Sequence, residues 1–584
     1  MEVPLEQKQE APKSSKGGMR SMPFIIANET IEKVASYGLL ANMVMYLTKE
    51  YHIGNASAGS ILFMWSAISY FLPIVGAFLS DSYLGRFRVI AWGSIASLLG
   101  IIVLWLTAMI PGAKPDPCDQ SCKTPTASQL AILVFSFALM SIGAGGIRPC
   151  SLAFGADQFD REDNPENARV MQTFFNWYYG SVAVSIMVSI TVIVYIQDKK
   201  GWKVGFGIPA ILMLLSAISF ILGYPFYKMV KPYKSLFTGF AQVMVASYKN
   251  KGLDFPPKSV DGWYHHSQGS KIVAPTDKMR FLNKACIIRN HEKDLNPDGS
   301  ASNPWNLCTV DQVEVFKSLV KVMPIWSTGI MNAVTINQHS FPVIQASTMD
   351  RHLSPKFEIP PGSFGVFALL ALAIWIAIYD RILVPLLARF TKRPRGLSVK
   401  QRMGAGVLLA SVATAVAALV ERARRNAAIQ QGVSENKYAL VNISAMWLVP
   451  QQSLTGVAEA FNAIGQIEFY YSEFPKSTAS IGVALFSLGM AVGNLVAVLI
   501  VQIVDKFSRI GGKESWVADN LNKGHYDYYY WILSLLCAIN FLYFLYCSWA
   551  YGYCKEELEA MALKKGEAIK EEDAPKSIEL PISL

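Results

Sequence analysis

Twelve apolar runs recur along this chain, at about 22–48, 58–79, 88–110, 129–156, 174–196, 204–226, 315–337, 364–389, 403–420, 442–471, 480–504 and 527–551. Each comes close to or exceeds the roughly 20 residues with which an α-helix crosses a bilayer. With 52% hydrophobic residues, the chain is too apolar throughout for a soluble protein of ordinary composition. An all-α membrane protein follows. The runs form two sets of six, 22–226 and 315–551, separated by a polar linker at 227–314 with Pro256-Pro257 and many lysines, and flanked by tails at 1–21 and 552–584. Two sets of six suit two bundles that rock about a site near the bilayer midplane. An even count puts both ends on one side.

The net charge of +10 does not point to nucleic acid, because the basic residues collect between apolar runs, as they do in cytosolic loops facing anionic lipid. The connection from Asp380 to Arg402 holds Arg381, Arg389, Lys392, Arg393, Arg395, Lys400 and Arg402, which assigns that side, and both tails, to the cytosol. Arg422, Arg424 and Arg425 contradict the rule, since they would lie outside. The first 21 residues are polar, so the first span is expected to direct insertion itself.

The eight cysteines do not form a disulfide scaffold, and no cysteine and histidine spacing suits a metal. Cys118 and Cys122 share a polar connection and could pair in a disulfide if that loop lies outside the reducing cytosol. Asn55-Ala-Ser57 has the form of a glycosylation acceptor close to the membrane. Gly76, Asp81, Gly85 and Arg86 form G-x4-D-x3-G-R between the second and third runs, where small residues let helix ends approach and Asp81 with Arg86 can latch cytosolic helix ends. Tyr379-Asp380-Arg381 echoes it in the second half. No nucleophile elbow, phosphate loop or cofactor motif is present, and an enzyme is not expected.

The costliest sequence to bury is Glu29-Thr-Ile-Glu32-Lys33, inside the first apolar run. Glu29 and Lys33 are four residues apart in the favourable order, with Glu32 beside them on one helical face. A charge at the centre of a spanning helix costs about 2.5–3.5 kcal/mol on insertion scales, so this face turns to a bundle interior or a wet cavity. A carboxylate there, held by a cation, is suited to carrying a proton. Arg148 and Glu459 are further charges inside apolar runs, one in each half, and each needs a partner.

These residues resemble the proton-dependent oligopeptide transporters of the major facilitator superfamily, and more closely their plant nitrate and peptide transporter branch. The resemblance rests on Glu29-x-x-Glu32-Lys33, Leu79-Ser-Asp-Ser-Tyr-Leu-Gly-Arg86, Gly143-Ala-Gly-Gly-Ile-Arg148-Pro-Cys with Phe154-Gly-Ala-Asp-Gln-Phe159, Pro324-Ile-Trp326, and Glu459-Ala-Phe with Gly465-Gln-Ile-Glu468-Phe. It covers nearly the whole chain and is similar in wording to the subfamily of low-affinity nitrate carriers. It implies the major facilitator fold with twelve transmembrane helices in two six-helix bundles. It also implies proton coupling through Glu29, Glu32 and Lys33, and a salt bridge between Arg148 and Glu459 across the bundles. Arg148 stands where many members have Lys, and its planar guanidinium suits oxyanions. Ile336 stands where one type of nitrate carrier has a helix-seven histidine, and Val89 where it has a phosphorylatable threonine.

The expectation is a symporter of protons and a small anion, nitrate taken up with low affinity, without a cofactor, in the plasma membrane or alternatively the vacuolar one. The alternatives are a proton-coupled carrier of a larger organic substrate, such as a hormone, a glycoside or a short peptide, and a nitrate sensor with little flux. Aromatic residues such as Tyr37, Tyr70, Trp177, Tyr178, Tyr179 and Trp326 are either cavity lining or packing. Oligomeric state is left open.

Overall fold

The computed structural model describes residues 17–116, 123–159, 167–230, 236–256, 263–267, 274–391, 396–437, 439–474, 480–554 and 557–558. Cys118 and Cys122, and with them the candidate disulfide, lie outside the described residues. Every apolar run corresponds to a helix. In the first half these are α1 Met22–Lys49, α2 Asn55–Leu79, α3 Arg86–Met109, α4 Ala127–Phe159, α5 Asn167–Val188 and α6 Trp202–Leu222. α5 continues through a π turn at Ser189–Ile193 into Val194–Lys200. The second half has α7 Val310–Ile336, α8 Val366–Ile378, α9 Val399–Gln430, α10 Val449–Glu473, α11 Ser480–Ser508 and α12 Tyr526–Tyr551. α8 likewise runs through a π turn, Tyr379–Leu383, into Val384–Thr391.

Among the described residues, ten helices are long and apolar enough by themselves to cross a membrane. α1 and α10 are not among them, although they have 28 and 25 residues. Their apolar face is interrupted by Asn28, Glu29, Glu32, Lys33 and Asn42 in α1, and by Gln451, Glu459, Asn462, Gln466 and Glu468 in α10. A helix of this kind spans lipid only when neighbours cover its polar face.

The halves share much of one packing scheme, in which four helix pairs of the first half recur six helices later. α3 packs on α4 as α9 does on α10, α3 on α6 as α9 on α12, α2 on α4 as α8 on α10, and α1 on α6 as α7 on α12. Close approach requires small residues. A Cβ on Gly76 of α2 would lie 1.9 Å from the Gly145 carbonyl oxygen of α4, and one on Gly456 of α10 would lie 2.0 Å from that of Ala368 in α8. The G-x4-D-x3-G-R stretch forms a π turn, Ser80–Leu84, that ends at Gly85, whose φ of 79° lets the chain reverse into α3. α7 and α9 each open with a capping box, Thr309 with Gln312 and Ser398 with Gln401, which satisfies otherwise orphaned backbone donors.

α1 begins and α12 ends on the same face of the bundle, here called the terminal face. On the far face the halves meet. α2 packs along α11, Phe341 sets its ring edge-on to Phe63, and Ser363 Oγ donates to the Ile190 carbonyl at 2.7 Å. The first backbone N–H of α2, that of Asn55, donates at 2.8 Å to Asp519 Oδ1 from the loop before α12. One half thus caps a helix of the other. The Asn55 carboxamide donates to the carbonyls of Ala518 and Asp519 and is 4% exposed, so in this conformation it is closed to glycosylation. Lys199 at the end of α5 reaches Glu358 at 3.1 Å, and Glu358 also holds Arg351 at 2.5 Å.

Three boundaries differ from the apolar pattern. The run beginning at 442 is not helical until Val449, because Val441–Ser444 pairs in parallel with Met349–Asp350 and a 3-10 turn, Ala445–Leu448, follows. α9 outruns its apolar segment, so Arg422, Arg424 and Arg425 belong to a helix, not a loop. Arg424 is fully buried, donates through Nε and Nη2 to Glu421 at 2.9 and 2.8 Å, and binds Asn522 and the Leu521 carbonyl. A residue neutralised in this way does not count in a loop-charge rule. Finally, the polar linker carries its own small core. The helix Leu236–Lys249, the 3-10 segment Arg280–Cys286 and the start of α7 bury Val243, Ala246, Leu282, Cys286, Cys308 and Val313 together.

Candidate substrate and proton site

α1 is fixed by its polar face. Asn28 Oδ1 accepts from Ser94 of α3 at 3.1 Å and Ser216 of α6 at 3.0 Å. The Lys33 and Gly38 carbonyls accept from Ser189 and Gln197 of α5. This sets the next residues toward the interior. Glu29 and Glu32 are 2% and 0% exposed, and Lys33 Nζ lies between them, 3.4 Å from Glu29 Oε1 and 3.9 Å from Glu32 Oε2. The expected triad on one helical face is therefore present.

Arg148 reaches the same carboxylate from α4. Its Nη2 donates to Glu32 Oε1 at 3.0 Å and its Nε to Oε2 at 3.4 Å, the two-point arrangement that a planar guanidinium favours. Ser36 Oγ donates to Glu32 Oε1 at 2.5 Å. The expected partnership of Arg148 with Glu459 is corrected here: Arg148 pairs within its own half, and Glu459 makes no ion pair among the described residues. Among the described residues, neither Arg148 nor Glu32 forms an ion pair with the other half.

Arg148 also lines a small, partly open cavity, with Ser36, Tyr37, Leu40, Trp65, Ser66, Ser69, Tyr70, Met140 and Ala144. Of the six aromatic residues singled out in the sequence, only Tyr37 and Tyr70 belong to this wall. Trp326 packs, its indole N–H donating to the Leu485 carbonyl at 2.7 Å. Trp65 was not anticipated. It stacks on Phe137, and its Nε1, a donor that cannot accept, is buried with no partner among the described residues. Ile336 packs with Ala333 and Met490, against which Tyr70 and Phe486 rest, an apolar surface where a histidine would have brought a proton site.

At the terminal face, Arg86 lies 3.6 Å from Asp81, as the G-R stretch suggests, yet its closer partner is Asp157 near the end of α4, at 2.5 Å. The second half repeats this: Arg402 at the start of α9 pairs with Glu468 near the end of α10. Asp157 and Glu468 both fall in the quoted motifs, so the signal was there, but only the repeat of the packing shows them as equivalents. Among the described residues no cluster of His, Cys, Asp and Glu is able to hold a metal ion.

Two six-helix halves enclosing paired acidic and basic side chains have the architecture of an integral membrane transporter. The chain belongs to the POT family: the profile described as "PTR2: POT family" matches residues 87–517. It is 55% identical over 550 residues to Protein NRT1/ PTR FAMILY 1.2 of Arabidopsis thaliana, covering 92% of this chain and 90% of that one. It is 54% identical over 545 residues to Protein NRT1/ PTR FAMILY 1.1 of the same plant, covering 92% of each. Among solved structures, an auto-inhibited POT family peptide transporter superposes with a TM-score of 0.67 at 20% identity, covering 91% of this chain and 97% of that one. The POT family transporter PepTSo gives 0.63 at 19%, covering 91% and 99%. At such identities these two establish the fold, with its two six-helix bundles.

Proposed function

We propose that this transporter carries nitrate together with protons, inward across the plasma membrane and with low affinity. The observation that carries the reading is the two-point pair of Glu32 with Arg148 at the wall of a cavity lined by donors. While Glu32 is ionised it occupies the guanidinium. Once it takes a proton the pair loses its charge attraction, and Arg148 is left to a planar anion in the cavity. Trp65, a donor without an acceptor, favours a ligand that only accepts hydrogen bonds, as nitrate does. Glu29 and Lys33 supply a second carboxylate and cation within reach of the first. Movement of more than one proton per nitrate brings net positive charge inward, to which the membrane potential contributes about 2.3 kcal/mol per charge per 100 mV.

A second reading draws on the apolar surface of Ile336, Ala333, Met490 and Phe486. An organic carboxylate with an apolar body would place its charge on Arg148 and its body there. Nitrate uptake and current recorded together in oocytes, at acidic and mildly alkaline external pH, separate the two. Inward current with nitrate accumulation at acidic pH alone, both absent in Glu29→Gln that reaches the surface, is the expected result. Surface expression with neither signal for nitrate, and accumulation of an apolar carboxylate instead, favours the second reading.

A further inference from the structure

Serines inside helices commonly turn their hydroxyl back to the backbone carbonyl four residues earlier, as Ser181 and Ser185 of α5 do. Ser36 does not. Its Oγ passes over the carbonyl of Glu32 and donates to that residue's carboxylate, on the oxygen that also receives Arg148 Nη2. Ser36 and Arg148 both line the cavity. Lys33, the remaining donor beside Glu32, is not among the lining residues. Ser36 and Arg148 are therefore the two groups that touch both the carboxylate and the space where an anion would sit.

We propose that Ser36 is a specificity-determining residue of the anion site, donating to Glu32 while that carboxylate is ionised and to the bound anion once Glu32 is protonated. The inference rests on the nitrate reading above. A hydroxyl has one proton to donate, so the two bonds exclude each other, and a rotation about χ1 of Ser36 exchanges them without movement of the helix. Protonation of Glu32 from the water of the cavity removes the negative charge that made its bond to Ser36 strong, and gives that carboxyl a donor of its own. The hydroxyl and the guanidinium are then released together, and the anion receives two donors at once. The titratable and charged groups around Glu32 are Glu29 and Lys33 of its own helix, Arg148 of α4 and Tyr178 of α5. Tyr37 and Tyr70 flank Arg148, and Glu459 of the other half faces Tyr70. Of these only Arg148 joins Ser36 in touching both sides.

The test is nitrate uptake against nitrate concentration by the full chain in proteoliposomes under a fixed inward proton gradient, for wild type, Ser36→Ala and Ser36→Thr. Loss of a hydrogen bond to a charged partner is expected to raise KM in Ser36→Ala by about tenfold or more, with Vmax and thermal stability little changed. Ser36→Thr, which keeps the hydroxyl, is expected to restore most of the affinity. Wild-type uptake with an unchanged KM in Ser36→Ala overturns the Ser36 inference alone. A fall in Vmax and stability at constant KM also overturns it, since the hydroxyl then only holds the helix together. Wild-type vesicles that take up no nitrate overturn the nitrate reading and this inference with it.

Discussion

Arg424 is a charge with no exposed surface, and its partner Glu421 is equally buried. Removing one member of such a pair strands the other, whereas apolar replacement of both removes the need for either. Arg424→Ala is expected to destabilise the protein by about 3–5 kcal/mol, and Glu421→Met with Arg424→Leu to recover most of that loss; thermal unfolding in detergent measures both. The contrast with α1 shows what single residues reveal in a sequence. Glu29, Glu32 and Lys33 were legible because their spacing and their setting in an apolar run are local facts. The partner of Glu32 was not, since Arg148 lies 116 positions away and Glu459 offered itself equally well as the other half of a pair. Which of the two carboxylates Arg148 meets depends on how the halves stand, and no local pattern carries that. Arg424 was misread although its counter-charge, Glu421, stands only three positions away, because the loop that buries the pair, with Asn522 and Leu521, comes about a hundred residues on.

At the scale of elements, the twelve helices were legible in their apolar periods, while their ends and interruptions were less so. The strand before α10 is apolar for its pairing with Met349–Asp350, and an apolar run alone does not separate a short strand from the first turns of a helix. The linker core went unseen because its members, among them Val243, Leu282 and Cys308, are spread among polar residues. Close approach at Gly76 was anticipated in kind, but neither its partner, α4, nor its severity was. With the carbonyl of Gly145 only 1.9 Å from the site of an added Cβ, Gly76→Ala forces the two helices apart and is expected to cost about 1–3 kcal/mol or more. Gly180→Ala in α5 meets nothing within 4 Å and, at an ordinary helical site, should be neutral or gain about 0.5–1 kcal/mol. Melting temperatures of the two variants side by side check the packing argument, and equal losses would contradict it.

For the molecule as a whole, the informative asymmetry lies between the two faces: the far face carries the ties between the halves. Glu358 is one of them and is also titratable. Partial burial pushes its carboxyl up, but the hydrogen bond from Lys199 and the charge of Arg351 outweigh that and hold it below its ordinary value of 4.5. A depressed carboxyl stabilises the folded arrangement at pH above its unfolded value, and that contribution is lost as the pH falls through the folded one. Closure of the far face is therefore expected to weaken as pH on that side drops below about 4.5. Thiol labelling of a cysteine placed at Ser66 should rise over the same range in the wild type, whereas Glu358→Gln should show high labelling at every pH. The polar face of α1 has a consequence of another kind. α1 leaves the ribosome before any of the helices that will cover Glu29, Glu32 and Lys33, and lipid is a poor host for it alone. Arg148 is made more than a hundred residues later. During synthesis α1 thus depends on shelter from the insertion machinery until α4 arrives, so the residues that equip the finished carrier for transport are also those that make its assembly depend on helper proteins.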